Sequence, residues 1–183
     1  MKNILMVCGS VREKSFNAQL MREIASGLEG HAETRVLDYA GLPWMNQDIE
    51  FPAPPEVVRV REELAWADGL WFVCPEYNGF SPGHVKNLID WLSRPVEAGD
   101  YGSTAIAGMS ATVSGCAGRS GSRTMQAQLV RLLQSVRVQV LDKPTVGVVI
   151  PAESWMTDVL TLGDDTHAEI REQIDAFLKM LDE

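Results

Sequence analysis

Residues 4–17 read ILMVCGSVREKSFN, and this stretch decides the fold of the chain. The apolar run at 4–8 predicts a buried strand, and the glycine-serine turn after it leads into residues 16–28, whose amphipathic pattern predicts a helix. Such a turn brings hydroxyls, an amide, a guanidinium and free backbone N–H groups to one helix N-terminus, where they can bind a phosphate. The alternative is that Ser15 or Asn17 only caps the helix and binds nothing.

The turn matches neither of the two commonest nucleotide-binding patterns. It lacks the glycine spacing of dinucleotide-binding folds, and it lacks the Gly-Lys-Ser/Thr of triphosphate-binding loops. A lone terminal monophosphate fits it better. Ser10, Ser15 and Asn17 can each donate a hydrogen bond to phosphate oxygens, and Arg12 can offset the phosphate charge from outside.

Composition excludes several classes of partner. The 183 residues are enough for one domain, residues 1–183, with a full core. A formal charge of -9 and a pI near 4.8 oppose nucleic acid and anionic membranes, so neither is an expected partner. An anionic cofactor stays compatible, because salt screens a diffuse field within about 10 Å while a local nest of amides acts at contact distance.

The cysteines and histidines indicate neither disulfides nor a metal site. Three cysteines, an odd number without CxxC spacing, are typical of a reducing cytoplasm, and no signal peptide or membrane span is expected. Cys8 and Cys74 close apolar strands and are expected to be buried, whereas Cys116 lies in a glycine-serine loop where exposure is possible. The three histidines are scattered without ligand spacing.

Apolar runs alternate with stretches of helical period along the whole chain, which is typical of a parallel sheet covered on both faces. Strands are predicted at 3–8, 34–38, 69–74 and 104–113, with a fifth within 137–150, where segments 138–141 and 146–150 compete. Helices are predicted at 16–28, 56–67, 84–93, 121–135 and 165–181. The pattern favours an α/β, flavodoxin-like, doubly wound sheet of five parallel strands in the order 2-1-3-4-5, with its ligand at the carboxyl ends of the strands.

Residues 38–55 form a long loop rich in proline and glycine. Long ordered loops in compact domains are often functional or interfacial. Trp44, Met45 and Phe51 give this loop apolar side chains, and the simpler interpretation is that they pin it to the body of the domain. Trp66, Trp71 and Trp91 are expected in the core, with a subunit interface as the alternative for the last of them.

The third predicted strand runs into a second loop, residues 75–83, which reads PEYNGFSPG. Its prolines and glycines predict a rigid loop whose exposed N–H groups can meet the edge of a flat heterocycle. This loop and the first one resemble the NAD(P)H-dependent FMN reductase family of flavodoxin-like quinone, chromate and azo-compound reductases. The family patterns GSxRxxSxN and PEYN...PGxxKNxxDW both occur here, at residues 9–17 and 75–91, and LPWMNQD at 42–48 resembles the family's LPxxNQD.

The resemblance implies an enzyme in which NAD(P)H gives hydride to bound FMN, after which two electrons pass to a quinone or to a similar acceptor such as chromate, an azo compound or free flavin. It implies that five residues hold the FMN phosphate, Phe16 through its backbone N–H: Ser10, Arg12, Ser15, Phe16 and Asn17. It also implies that seven residues line or flank the isoalloxazine ring: Pro75, Glu76, Tyr77, Asn78, Gly79, Ser114 and Gly115. No side chain is expected to act as a catalytic acid, base or nucleophile, because the flavin carries the reactive centre.

Other features of the resemblance concern the surroundings of the ring. Glu76 is expected to turn outward or to cap its loop, since a carboxylate would be repelled by reduced flavin. Arg123 is expected to organise the site or a subunit interface, with a solvated arginine as the alternative. Phe80 stands where the family has a small polar residue, which predicts a narrower or more apolar acceptor pocket.

The resemblance also implies a homodimer, with a homotetramer as a further possibility. It does not select NADH over NADPH, and it does not identify the acceptor. The main alternative function is a flavodoxin-type electron carrier that binds FMN without turning over a substrate, and a third is a flavin-free interaction protein.

Overall fold

The alternating pattern folds into a parallel sheet between two layers of helices, and a computed structural model describes all residues, 1–183. The strands are β1 (Lys2–Cys8), β2 (Ala32–Val36), β3 (Gly69–Val73), β4 (Ser110–Ala117), β5 (Gln139–Leu141) and β6 (Gly147–Val149). The helices are α1 (Phe16–Leu28), α2 (Pro55–Trp66), α3 (Gly83–Leu92), α4 (Arg123–Ser135), α5 (Ala152–Thr157) and α6 (Asp164–Asp182). None of the helices has the length and apolar character that a bilayer crossing requires.

The sheet has the predicted topology. Its strands run in the order β2-β1-β3-β4-β5, and every pairing is parallel. The two segments that competed for the fifth position both form short strands. β5 pairs with residues 110–112 of β4, and β6 pairs with residues 115–117 of the same strand. The last position of the sheet is therefore one interrupted strand, and the carboxyl end of β4 is flanked by β6.

The core lies on both faces of the sheet, which explains why the strands read as continuous apolar runs. In β1, Leu5 and Val7 face the cluster formed with α2, α3 and α4. Ile4 and Met6 face the opposite cluster, formed with α1 and α6. The helices that follow β1 and β3 thus lie on opposite faces, and their N-termini meet at the carboxyl edge of the sheet.

The tryptophans assigned to the core are mostly buried, as predicted. Trp71 and Trp91 are both 0% exposed, and Trp66 is half-buried. A subunit interface, the alternative for Trp91, does not fit its complete burial.

The predicted boundaries of the fourth strand, 104–113, are wrong. Thr104 forms only an isolated bridge with Pro95, residues 105–108 form a turn that ends at Gly108, whose φ of +82° favours glycine, and β4 begins only at Ser110. The strand then continues through Cys116, which is 0% exposed. Cys116 is therefore not exposed, which its place in a glycine-serine loop had left possible, and burial raises the pKa of its thiol to about 12, so the thiol is protonated at neutral pH.

The long loop is held by hydrogen bonds, and two of the three apolar side chains that were expected to pin it are exposed, whereas Met45 is partly buried. Trp44 is 74% exposed and Phe51 is 41% exposed. The loop is instead held at the Pro43 carbonyl, which accepts hydrogen bonds from Asn87 Nδ2 at 3.0 Å and from Trp91 Nε1 at 2.8 Å. Both donors belong to α3, so the loop is fixed beside the start of that helix.

Candidate functional site

The first loop begins at Gly9, directly after β1. Any other residue at this position would force the neighbouring atoms to move. The Gly9 N–H donates to the Val73 carbonyl at 2.9 Å, which extends the pairing of β1 with β3 by one bond. A Cβ at Gly9 would lie 2.5 Å from Cys74 Sγ. The close approach of these two strand ends therefore requires glycine, and it sets the position of the turn that follows.

Helix α1 begins with a serine cap and unpaired donors. Ser15 Oγ accepts a hydrogen bond from the Ala18 N–H at 3.1 Å, as the capping alternative predicted. The hydroxyl hydrogen of Ser15 has no acceptor, and the N–H groups of Phe16 and Asn17 have none within the protein. These three donors lie at the positive end of the helix. Capping and phosphate binding are therefore compatible here, because the cap uses only the acceptor side of the hydroxyl.

The Asn17 side chain has a structural role. Its Nδ2 donates to the Cys116 carbonyl at 3.0 Å, and its Oδ1 accepts from the Cys116 N–H at 2.9 Å. Asn17 is only 4% exposed, so it ties α1 to β4 in a dry environment. The backbone N–H of Asn17 is left as its clearest donor to an anion.

The Arg12 guanidinium is already balanced by a carboxylate that sequence reasoning missed. It forms an ion pair and hydrogen bond with Asp158, and Lys14 Nζ lies 3.2 Å from the other oxygen of that carboxylate. Hydrogen bonds from Arg12 and Lys14 hold the pKa of Asp158 below its usual range. The arginine therefore lies at the predicted turn, but its charge is shared with a carboxylate.

A short helix that was not predicted, α5, packs against the first loop. The ring of Trp155 meets the ring of Phe16 edge-on, with centroids 5.0 Å apart. Gln19 fixes the following segment, since its side chain donates to the Asp158 carbonyl at 2.9 Å and accepts from the Leu160 N–H at 2.8 Å. Pro151, which directly precedes α5, is the one local signal in the sequence that could have indicated this helix.

The second loop is a tight hairpin built around Asn78 and Gly79. Their φ values are +55° and +84°, as in a type I′ turn, and Tyr77 and Phe80 exchange both backbone hydrogen bonds across it. The Tyr77 N–H is therefore occupied by the Phe80 carbonyl. The N–H groups of Glu76, Asn78 and Gly79 have no acceptor in the protein and are free for a ligand.

Glu76 neither points into solvent nor caps its own loop. Its Oε2 accepts a hydrogen bond from the Met125 N–H at 3.0 Å, which caps the first turn of α4. Ser122, the residue at the cap position of α4, has a left-handed φ of +62° and offers no side-chain cap. The carboxylate of Glu76 supplies that cap instead, and it fixes the second loop to α4.

The two loops face each other across a cleft of about 230 Å³, which lies at the carboxyl ends of β1, β3 and β4. We call it the cofactor cleft because the sequence predicts that its residues bind FMN. Its walls bring together all five predicted residues of the first loop and three of the second: Ser10, Arg12, Ser15, Phe16, Asn17, Pro75, Glu76 and Tyr77. The remaining wall comes from residues 116–118, Ile150 and Trp155. Asn78 and Gly79 lie in the adjoining turn.

Ser114 and Gly115 do not reach the surface of the cofactor cleft. Ser114 Oγ accepts from Trp71 Nε1 at 3.0 Å and donates to Gln173 Oε1 at 2.9 Å, deep in the core. A Cβ at Gly115 would lie 2.1 Å from the Cys74 carbonyl oxygen. These two residues let β4 pass close beneath the second loop, and the next three residues of the chain line the cleft.

Arg123 and Phe80 are solvent-facing. Arg123 is exposed at the first position of α4, and its side chain makes no hydrogen bond or ion pair, which fits the solvated alternative. Phe80 is 60% exposed at the end of the hairpin, beside Tyr77, which is 54% exposed. Tyr77 lines the cofactor cleft and Phe80 pairs with it across the hairpin, so the hairpin presents two accessible aromatic rings next to the mouth of the cleft.

Comparison with known proteins gives one family. The sequence model of the family described as NADPH-dependent FMN reductase matches residues 2–151. An NAD(P)H-dependent FMN reductase of Pseudomonas aeruginosa is 32% identical over 174 residues, which cover 94% of this chain and 91% of that protein. A quinone reductase of Pseudomonas putida is 32% identical over 180 residues, which cover 96% of this chain and 92% of that protein.

Solved structures give the same result. The flavoenzyme NAD(P)H:(acceptor) oxidoreductase FerB from Paracoccus denitrificans superposes with a TM-score of 0.87 at 30% identity. The match covers 100% of this chain and 98% of that one.

Proposed function

The chain belongs to the NADPH-dependent FMN reductase family, and on that premise we propose that it passes electrons from NAD(P)H to a quinone and that the cofactor cleft holds its FMN. The resemblance carried by the two loops is thus confirmed at the level of the family. The protein is an FMN-dependent oxidoreductase that uses NAD(P)H. The choice of a quinone is supported by relatives named quinone reductase and 2-hydroxy-1,4-benzoquinone reductase.

One observation carries the assignment of the cofactor cleft: unpaired donors of both loops border the same small space. At the first loop, the N–H groups of Phe16 and Asn17 and the hydroxyl of Ser15 would bind the phosphate at the start of α1. Ser10 lines the same wall. A dianionic phosphate is favoured there by the dipole of α1, and Arg12 adds a positive charge that it shares with Asp158.

At the second loop, the free N–H groups of Glu76, Asn78 and Gly79 would meet the polar edge of the ring. When bound, FMN would supply the two-electron redox chemistry between NAD(P)H and the acceptor. The loop's N–H groups would stabilise negative charge at that edge, as preorganised donors do in an oxyanion site. Binding of the Glu76 carboxylate to Met125 N–H turns the one nearby negative side chain toward α4. The chain therefore acts by orientation and electrostatics and needs no acid or base of its own.

The assembly proposed for the protein is a homodimer. Tyr77 and Phe80 are both more than half exposed at the mouth of the cofactor cleft, and a second subunit placed there would cover them. Size-exclusion chromatography with light scattering tests this, and a monomer at all concentrations would contradict it.

A cytoplasmic location is supported by three unpaired cysteines and is tested by cell fractionation.

The function is tested by anaerobic mixing of the FMN-loaded protein with NADH or NADPH, followed by addition of a quinone. We expect the flavin absorbance to bleach without any partner protein and to return when the quinone is added. With NAD(P)H and the quinone both varied, double-reciprocal plots of the steady-state rate should give parallel lines, because the two substrates would use the same face of the ring in turn. Bleaching without recovery on quinone addition would remove the quinone assignment, and no bleaching would favour an electron carrier.

A further inference from the structure

A second cavity lies on the other side of the first loop. It measures about 660 Å³ and is enclosed by the carboxyl ends of β1 and β2, the segment 37–44 and the start of α3. We call it the Trp44 cavity after the residue at its rim. Ser10 lines both this cavity and the cofactor cleft, so the two spaces adjoin at one turn. The volume lies within the range of small-molecule sites.

Aromatic rings form two walls of the Trp44 cavity. The rings of Tyr39 and His84 stack with centroids 5.7 Å apart and an angle of 28° between their planes. The Tyr39 hydroxyl donates to the Cys8 carbonyl at 2.6 Å, which fixes the phenol ring. The Trp44 indole is 74% exposed although it lines the cavity, so nothing in the chain covers its face. Flat walls of this kind bind the faces of flat heterocycles.

One polar atom beside this cavity has no partner. His84 Nε2 is shielded from solvent and makes no hydrogen bond. Burial lowers the pKa of His84, although the nearby Gly9 backbone opposes the shift, so the ring is neutral at pH 7. The nitrogen is inaccessible from the cavity, so His84 offers a ligand its ring and not this atom.

The only charged residue that lines the cavity is Asp38, which lies two positions beyond the end of β2. One of its oxygens accepts from the Ala40 N–H at 3.2 Å, and the other has no partner. A carboxylate just after the second strand of a doubly wound sheet is the group that binds ribose hydroxyls in dinucleotide-binding domains. The same charge repels a phosphate on the 2′ oxygen. No lysine or arginine lines the cavity, and Arg59, whose guanidinium donates to the Asp38 carbonyl, is paired with Glu56.

We propose that the Trp44 cavity binds the adenosine end of NADH, with the base against Trp44 and the Tyr39–His84 pair and the ribose hydroxyls on Asp38. The site therefore favours NADH over NADPH. This inference rests on the proposed function, since the nicotinamide end must reach the ring in the adjoining cofactor cleft. It identifies a specificity residue outside both loops.

The test uses the FMN-loaded protein, three variants and two readouts. The variants are Asp38→Asn, Trp44→Ala and, as a control of equal charge change, Asp142→Asn, which lies after β5 at the opposite edge of the sheet. We expect Asp38→Asn to raise the KM for NADH about tenfold and to lower that for NADPH, because the charge-assisted bonds to the ribose are lost and the repulsion of the 2′-phosphate is removed. Trp44→Ala should weaken both dinucleotides by about fivefold. The control should match the wild type.

The second readout needs no electron transfer. Calorimetry with ADP-ribose, which carries the adenosine end without the nicotinamide, should show binding to the wild type and a weakening of about tenfold in Asp38→Asn. Reduced nicotinamide mononucleotide, which lacks adenosine, should reduce the flavin of Asp38→Asn and Asp142→Asn at the same rate. The inference would be overturned if Asp38→Asn slowed flavin reduction by the mononucleotide as much as reduction by NADH. It would also be overturned if Asp38→Asn showed the same NADH kinetics as the wild type.

The outcomes also separate this inference from the proposed function. A wild type that binds ADP-ribose in an Asp38-dependent way but is not reduced by NADH would leave the adenosine site standing and remove the reductase. A wild type that is reduced by NADH and NADPH with equal KM values would remove the adenosine site and leave the reductase standing.

Discussion

The cofactor cleft and the Trp44 cavity lie side by side at the carboxyl edge of one sheet, and they are built in opposite ways. In the cofactor cleft the side chains are bound within the protein: Asn17 to Cys116 and Glu76 to Met125. At the Trp44 cavity the imidazole nitrogen of His84 has no partner and the indole stands exposed. The free donors of the cofactor cleft are backbone N–H groups and one serine hydroxyl on loops that these bonds hold in place, which suits a resident cofactor. The larger Trp44 cavity presents an exposed indole and an exposed carboxylate, that of Asp38, which suits a ligand that exchanges.

The largest expected effect comes from a substitution in β4, the strand beneath the cofactor cleft. Gly115→Ala places a Cβ 2.1 Å from the Cys74 carbonyl oxygen, so β4 must move away from the end of β3. We expect the free energy of unfolding to fall by about 3 kcal/mol, with loss of FMN. Gly118→Ala is the matched control, because a Cβ there meets nothing within 4 Å. Urea titration measures both, and equal stabilities would contradict the described packing.

The next largest loss of stability is expected when the hydrogen bonds between α1 and β4 are removed. Asn17→Ala leaves the N–H and carbonyl of Cys116 buried without partners, which we expect to cost about 2–4 kcal/mol of unfolding free energy and to weaken FMN binding. Asn46→Ala removes a comparable side-chain bond, to the Asp48 N–H, at an exposed position, and should cost about 0.5 kcal/mol. If the two variants unfold at the same urea concentration, the Asn17 bonds do not fix the cofactor cleft.

Substitutions of two tryptophans are expected to distinguish the cofactor cleft from the Trp44 cavity, because each ring lines only one of them. Trp155→Ala removes the edge-on contact with Phe16 and should raise the Kd for FMN about threefold to tenfold. Trp44→Ala should leave that Kd within about twofold, because its ring lines only the other cavity. Fluorescence titration with FMN gives both values. Equal weakening by the two changes would show that the sites are not distinct.

The smallest expected effect is a pH dependence at the edge of the cofactor cleft. Hydrogen bonds from Arg12 and Lys14 depress the pKa of Asp158, so its contribution to stability is present above the ordinary carboxyl pKa of about 3.9 and is lost as the pH falls through the folded-state value. Asp158→Asn should therefore unfold at slightly lower urea than the wild type at pH 7, and the difference should shrink as the solution is acidified. A difference that stays constant down to acid pH would contradict the ion pair.

The same contrast explains what could be predicted from the sequence. The first loop and the sheet order follow from local patterns, because an apolar run, a glycine turn and a serine cap act on their immediate neighbours. The end of β4 does not follow from such patterns. Ser114 and Gly115 are poor strand formers, and they lie in a strand because Trp71, Gln173 and the Cys74 carbonyl meet them there.

Sites assembled from distant segments were the least predictable. Trp155 and Asp158 reach the first loop only once α5 packs on it, and a six-residue helix has little periodicity to reveal it. The Trp44 cavity likewise depends on the long loop being held by Asn87 and Trp91 of α3. Each feature needs the tertiary fold before its residues become neighbours.

The central claim is that donors at the start of α1 hold the phosphate of FMN, and a comparison of FMN with riboflavin tests it most directly. Riboflavin carries the same ring without the phosphate. We expect the wild type to bind FMN at least about 100-fold more tightly than riboflavin, and Ser15→Ala to weaken FMN about tenfold while riboflavin binding stays the same. Equal affinities for FMN and riboflavin in the wild type, or equal losses of both in Ser15→Ala, would contradict the account.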